Sequence, residues 1–175
     1  MIIRKAVSKD IDAVVSIYDK IHTAEEKGKV VIGWKRDIYP IRKTAEDATL
    51  RDDLFVMEED GFLFGSGIIN KEQVDVYEKA KWNHDAKPEE IMVLHTLVID
   101  PDKKRKGLGK SFVKFYEEYA KNNGCKYLRL DTNEKNVNAR AMYKKLGYKE
   151  IGIVPCVFNG LKDVNLVLVE KALEI

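Results

Sequence analysis

Between Pro101 and Phe112 the sequence runs PDKKRKGLGKSF: five basic side chains (Lys103, Lys104, Arg105, Lys106, Lys110), two glycines in alternation, then a helical pattern. A chain that passes through glycines into a helix N-terminus gathers unpaired backbone N–H groups at one spot, and the positive end of the helix dipole reinforces them. That geometry holds phosphate. Gly107 and Gly109 let the main chain approach an anion with no Cβ in the way, while the basic side chains attract it from further off. The chemistry implied is the binding of a diphosphate. Two familiar loops do not fit: a Walker loop needs glycine where Lys104 stands, and a GxGxxG dinucleotide loop needs glycine where Phe112 stands. Taken alone, the stretch also reads as a solvated basic turn.

It does not stand alone. The segment LVIDPDKKRKGLGKSFV is followed by NVNARAMYKKLGY, Asn136 to Tyr148, with a strand pattern between them. The first resembles the acetyl-CoA loop, [QR]xxGx[GA], of the GNAT superfamily of N-acyltransferases. The second resembles that superfamily's NxxAxxxYxxxGF. Lys104 replaces the usual arginine or glutamine, which leaves main-chain phosphate contacts intact and weakens a role resting on that side chain. The first helix, hairpin and tail are also similar to the family's, so the resemblance spans nearly the whole chain.

The resemblance implies an α/β (α+β) fold: a mixed, mostly antiparallel seven-stranded central sheet flanked by about four helices, as a single N-acetyltransferase domain over residues 1–175. It implies acetyl-CoA in a cleft where the fourth and fifth strands splay apart. Leu97, Val98 and Ile99 would border the pantetheine arm, held by backbone groups of Leu97 and Ile99. The loop Lys104, Arg105, Lys106, Gly107, Leu108, Gly109 and Lys110 would hold the pyrophosphate, and Asn136 and Tyr143 would touch the cofactor.

The reaction implied is acetyl transfer to a primary amine through a tetrahedral oxyanion. An unperturbed alkyl amine has a pKa of ~10, so a proton must leave before attack, and the departing sulfur needs a proton. Tyr143 resembles the family's general acid, since a phenol stays protonated at neutral pH. His95 is the histidine of the central apolar run and is the side chain best matched to proton uptake. Glu90, Asp131 or a water relay are the reserves for that role. Trp34, Tyr39, Tyr77 and Trp82 are candidates to line the acceptor pocket, with Trp34, Tyr39 and Asp131 taken as substrate-binding. Two readings from other classes compete: a coenzyme A sensor without turnover, and a nucleic-acid module using the basic loop.

These residues need elements to position them. Ile2 to Val7 reads as a strand, and Ser8 is expected to cap a helix whose apolar residues are Ile11, Val14, Val15, Tyr18 and Ile21. A second helix is expected after Pro40. Leu54–Glu58 and Phe62–Asn70 flank Asp60-Gly61, a hairpin signal. The run IMVLHTLVI, Ile91 to Ile99, reads as a buried strand, and Leu108, Phe112, Phe115, Tyr116 and Tyr119 mark a helix stopped by Asn123-Gly124. Tyr127–Thr132, a helix carrying Ala139, Met142, Tyr143 and Leu146, and strands near Tyr148–Val154 and Val164–Val169 complete the pattern.

The bulk properties suit such a unit. With 175 residues, 45% hydrophobic and 34% charged, the chain can bury a full core. A formal net charge of +2 makes the basic loop a local feature and its partner small, which argues against nucleic acid. Cys125 and Cys156 lack CxxC spacing, so no metal site is expected, and both read as buried thiols in a reducing compartment. The opening has no apolar signal core and no run is long enough to span a membrane, so a cytoplasmic protein is expected. The expected partners are a small-molecule or peptide amine, with a homodimer consistent with the family's habits.

Overall fold

Asp60 and Gly61 both adopt positive φ, 53° and 79°, and turn the chain between two antiparallel strands, β2 (Leu54–Glu59) and β3 (Phe62–Asn70). A computed structural model of the protein describes residues 1–103 and 107–174. Around this hairpin stand β1 (Ile2–Lys5), α1 (Ile11–Glu26), α2 (Arg42–Leu50), β4 (Ile91–Ile99), α3 (Leu108–Asn122), β5 (Tyr127–Asn133), α4 (Val137–Lys145), β6 (Lys149–Phe158) and β7 (Leu161–Ala172). The seven strands form one sheet in the order β1-β2-β3-β4-β5-β7-β6, in which only β4 and β5 run parallel. The expected mixed, mostly antiparallel sheet with four helices is the observed architecture. Among the described residues no helix is long and apolar enough to cross a membrane.

Alternation along the strands divides the core between the two faces. Met92 and Leu94 of β4 and Leu128 and Leu130 of β5 pack under α3, against Phe112, Val113 and Tyr116. On the other face, α1 and α2 cover Leu54, Val56 and Ile68 with Val14, Ile17, Tyr18, Ala45 and Ala48. Beside them, short 3₁₀ turns at Asp75–Lys79 and Pro88–Glu90 lay Val76 and Tyr77 over Ile91, Val93 and Leu168. Phe112 is fully buried, and removing a side chain of that size from water contributes about 2–3 kcal/mol.

Four local expectations are corrected. β1 ends at Lys5 rather than Val7, because the Val7 N–H donates to Asp10 Oδ2 (2.8 Å) and starts a 3₁₀ turn; this carboxylate does the work expected of Ser8. β6 and β7 are longer than read, 149–158 and 161–172, and meet in a tight turn at Asn159-Gly160, with φ 49° and 78°. The run Ile91–Ile99 is not regular: Thr96 has φ 50°, and β4 carries an extra residue against β3 between the pairs Ile68↔His95 and Ser66↔Val98. Finally, Cys125 is buried but Cys156 is partly exposed, both as free thiols.

Candidate active site

The bulge at Thr96 changes which side chains face α3. Met92 and Leu94 face it before the bulge, and Leu97 and Ile99 after, while Val98 turns to the layer under α1. The ladder between β4 and β5 stops at Leu94↔Leu130, although both strands continue. Beyond that rung the edge of β4 facing β5 has no strand partner among the described residues, and the sheet opens. A cleft of about 750 Å³ passes through the opening and joins the two faces. On the α3 face it is lined by Leu97, Ile99, Gly109, Asn136, Ala139, Met142 and Tyr143; on the other by Val30–Trp34, Tyr39, Asn70, His95, Asp131 and Phe158.

At one end of the cleft α3 begins. Gly107 is its N-cap with φ 87°, and the first intrahelical bond is from Ser111 N–H to Gly107 O (2.9 Å). The N–H groups of Leu108, Gly109 and Lys110 precede that bond and have no backbone carbonyl partner among the described residues. A Cβ at Gly109 would come within 3.3 Å of Met142 Sδ, so a larger residue here needs the Met142 side chain to give way. The open edge of β4 and the free N–H groups of α3 fit, respectively, an extended amide-bearing arm and its diphosphate. Lys104, Arg105 and Lys106 lie outside the described residues. Leu108 is buried in the core and offers only its backbone; Val98 points away from the cleft. Asn136 lines the cleft, with its Oδ1 accepting the Ala139 N–H (3.2 Å) as the cap of α4.

Tyr143 reaches the cleft from α4 and is 6% exposed, its ring edge-on to Tyr148 at 5.6 Å between centroids. Its hydroxyl has no hydrogen-bond partner among the described residues. Burial, and then the nearby Asp131 carboxylate, push its pKa upward, so the phenol keeps its proton at any physiological pH.

His95 lies on the opposite face. Asn70 Oδ1 accepts the Glu72 N–H (3.0 Å), which fixes that atom as oxygen, so His95 Nε2 must donate to it (3.0 Å). Asn70 Nδ2 in turn donates to Asp53 Oδ2 (2.9 Å), which Arg51 also holds. Burial lowers the imidazole to about 4. Across the gap, Asp131 Oδ2 accepts the Tyr77 hydroxyl (2.8 Å), and burial raises the carboxyl to about 6. Trp34 and Tyr39 line the same compartment edge-on to each other, 6.1 Å apart, and the Tyr39 hydroxyl bonds Thr96 Oγ1.

Tyr77 and Trp82 lie behind the cleft wall rather than in it: Trp82 packs on Tyr77 and on the Arg129 guanidinium, 4.1 Å from its ring centroid. Glu90 sits at the far end of β4, paired with Lys126 (2.7 Å), too distant to serve as a base. Sequence reading missed Glu25, whose carboxylate receives the N–H groups of Ile32 (2.6 Å) and Gly33 (3.0 Å) and ties the Val30–Trp34 loop to α1. It also missed the buried Arg129–Glu170 pair, which holds Gln73, Asn83 and His84 and so anchors the Lys71–Glu90 segment. Neither has a local sequence signal, since the partners lie far apart in the chain or in an irregular loop.

Both the sequence and the fold are similar to those of known proteins. The chain is 26% identical over 152 residues to the uncharacterized N-acetyltransferase MJ1207 of Methanocaldococcus jannaschii, covering 87% of this chain and 62% of that protein's length. A GNAT-family acetyltransferase structure from Streptococcus agalactiae superimposes with a TM-score of 0.82 at 27% identity, over 99% of this chain and 96% of the other. The structure of yncA from Salmonella typhimurium, which includes its cofactor acetyl-CoA, gives 0.69 at 16% identity, over 100% and 95% of the two chains. The fold is thus the acyl-CoA N-acyltransferase fold. Residues 14–148, from α1 through the loop before β6, match the sequence profile of the acetyltransferase (GNAT) family, and to that family the chain belongs.

Proposed function

We propose that the protein transfers an acetyl group from acetyl-CoA to a primary amine. One observation carries the reading: the β4–β5 ladder ends at Leu94↔Leu130 beside an α3 N-terminus with free N–H groups, with the unbonded Tyr143 hydroxyl in the cleft between them. The described residues fit acetyl-CoA, which supplies the activated acyl group when bound. Leu97 and Ile99 would offer backbone groups to its amide-bearing arm, and the N–H groups of Leu108, Gly109 and Lys110 would receive its pyrophosphate. Tyr143 would protonate the sulfur as the carbon–sulfur bond breaks, its phenol being in the protonated form beforehand.

The acceptor would enter from the opposite face, between Trp34, Tyr39, His95 and Asp131, so that amine and thioester meet through the gap in the sheet. Asp47, Glu72 and Asp131 line that compartment against the single cation Arg51 among its described lining residues, which favours a cationic amine. Thiol release from acetyl-CoA with a panel of butylamine, putrescine, tyramine and a lysine-bearing peptide tests the reading. Tyr143→Phe should lower turnover ~10²–10⁴-fold with acetyl-CoA affinity retained; unchanged turnover would remove Tyr143 from this role.

A further inference from the structure

Acid and base in this reaction act on different atoms, and the sheet separates the sites where they must stand. Tyr143 belongs to the layer under α3. One residue past the last rung, Asp131 leaves β5 on the other face and meets Tyr77 of the layer there. Asp131 accepts a single hydrogen bond, at Oδ2; its Oδ1 has no donor, and no Lys, Arg or His forms an ion pair with it among the described residues. A desolvated carboxylate without a countercharge is costly, and such a group in a cleft is poised for a cationic or proton-bearing ligand. His95, across the gap, has Nε2 committed as donor to Asn70, itself fixed by Asp53 and Glu72.

We infer that Asp131, positioned by Tyr77, receives the acceptor amine and takes its proton during acyl transfer. The inference rests on the acetyltransferase reading and assigns the base within it. The amine sheds one proton to solvent on becoming neutral. As its nitrogen bonds to the acyl carbon, the remaining N–H turns acidic and Oδ1 takes that proton. The carbon–sulfur bond breaks, the sulfur takes the phenolic proton of Tyr143, and Asp131 returns its proton through solvent to the phenolate. One N–C bond replaces one C–S bond, one proton moves from nitrogen to sulfur, and both residues are restored. Tyr77 from the 3₁₀ turn, Tyr39 from the loop before α2, Tyr143 from α4 and Cys156 from β6 are the titratable groups that feel the Asp131 charge; all are shifted upward and carry no charge near pH 6.

The test combines kinetics with a direct view of the carboxyl. With the amine panel above, wild type should show kcat/KM rising with pH through a limb near the Asp131 value of about 6. Asp131→Asn, isosteric and still able to accept from Tyr77, should lose that limb and ~10²–10⁴-fold in kcat, with acetyl-CoA affinity by calorimetry unchanged. Tyr77→Phe removes a donor that favours the carboxylate, so its limb should move to higher pH. A limb that persists in Asp131→Asn and vanishes in His95→Gln would overturn the assignment in favour of His95. Independently of turnover, the Asp131 carboxyl ¹³C resonance, identified by its loss in Asp131→Asn, should shift when millimolar panel amines are added to protein saturated with acetyl-CoA; no shift with any of them overturns it. Failure of acetyl-CoA to bind wild type would instead remove the acetyltransferase reading itself.

Discussion

Leu94 and Leu130 form the last rung of the parallel ladder between β4 and β5, and the candidate site opens at the point where that pairing ends. One residue further, the free edge of β4, the start of α3, the Tyr143 hydroxyl and the Asp131 carboxylate all open onto the same cleft. The cleft reaches both faces of the sheet at this gap, which is the geometry the proposed two-sided entry of acetyl-CoA and amine requires.

Gly109 of α3 packs beside Met142 of α4. A Cβ there meets Met142 Sδ at 3.3 Å, and larger side chains must push α3 away or intrude among the first-turn N–H groups. Gly109→Val should weaken acetyl-CoA binding at least ~10-fold, about 1.4 kcal/mol, by calorimetry. Thermal stability should change far less than affinity.

Arg129 and Glu170 are 6% and 1% exposed at the side chain and 3.2 Å apart. Removing one partner strands the other charge in the interior, at a cost of about 3–5 kcal/mol. Arg129→Met should therefore lower stability by that order in urea unfolding and loosen the Lys71–Glu90 segment, seen as faster amide exchange at Tyr77. Combining it with Glu170→Met should recover much of the loss.

Asp10 shows the usual acid-side linkage. The Arg4 guanidinium at 2.7 Å, together with the Val7 N–H, holds its carboxyl below the ordinary carboxylate value. A folded-state value below the unfolded one gives stability that is present above about pH 4 and disappears as pH falls through the folded value. Wild type should lose stability over that acid range more steeply than Asp10→Asn, measured by urea titration at successive pH values.

Asp131 has the opposite sign. Its folded value of about 6 lies above the unfolded one, so its contribution is present below about pH 4 and is lost as pH rises to about 6. At pH 7.5 Asp131→Asn should consequently be more stable than wild type by about 1–3 kcal/mol while being the slower enzyme. Equal or lower stability of the variant would show that the carboxylate is not strained by its surroundings.

The sequence carried the outline because the signals involved are local. Glycines at 107 and 109 before a helical stripe, Asn136 three residues before Ala139, and Asp60-Gly61 between apolar runs each determine backbone geometry within a few residues. The Asn159-Gly160 turn is equally local, but the polar residues around it blur the alternation of the two strands it joins. The Thr96 bulge was not readable: IMVLHTLVI looks like an unbroken strand, and a β-branched residue at φ 50° is held by its partners, including the Tyr39 hydroxyl, rather than by its own preference. An unbroken strand would put Val98 beside Leu97 and Ile99 along the arm, whereas the bulge turns it to the layer under α1. The difference between His95 and Asp131 was beyond sequence too, since it depends on Asn70 and Tyr77, which lie 25 and 54 residues from their respective partners.

The most direct measurement is of stoichiometry. Purified protein would be incubated with acetyl-CoA and the amine panel, with free thiol and N-acetylated amine quantified together. The account predicts the two products appearing one for one, slowed by Tyr143→Phe. Acetyl-CoA that binds the folded protein yet yields no acetylated product from any primary amine would contradict it.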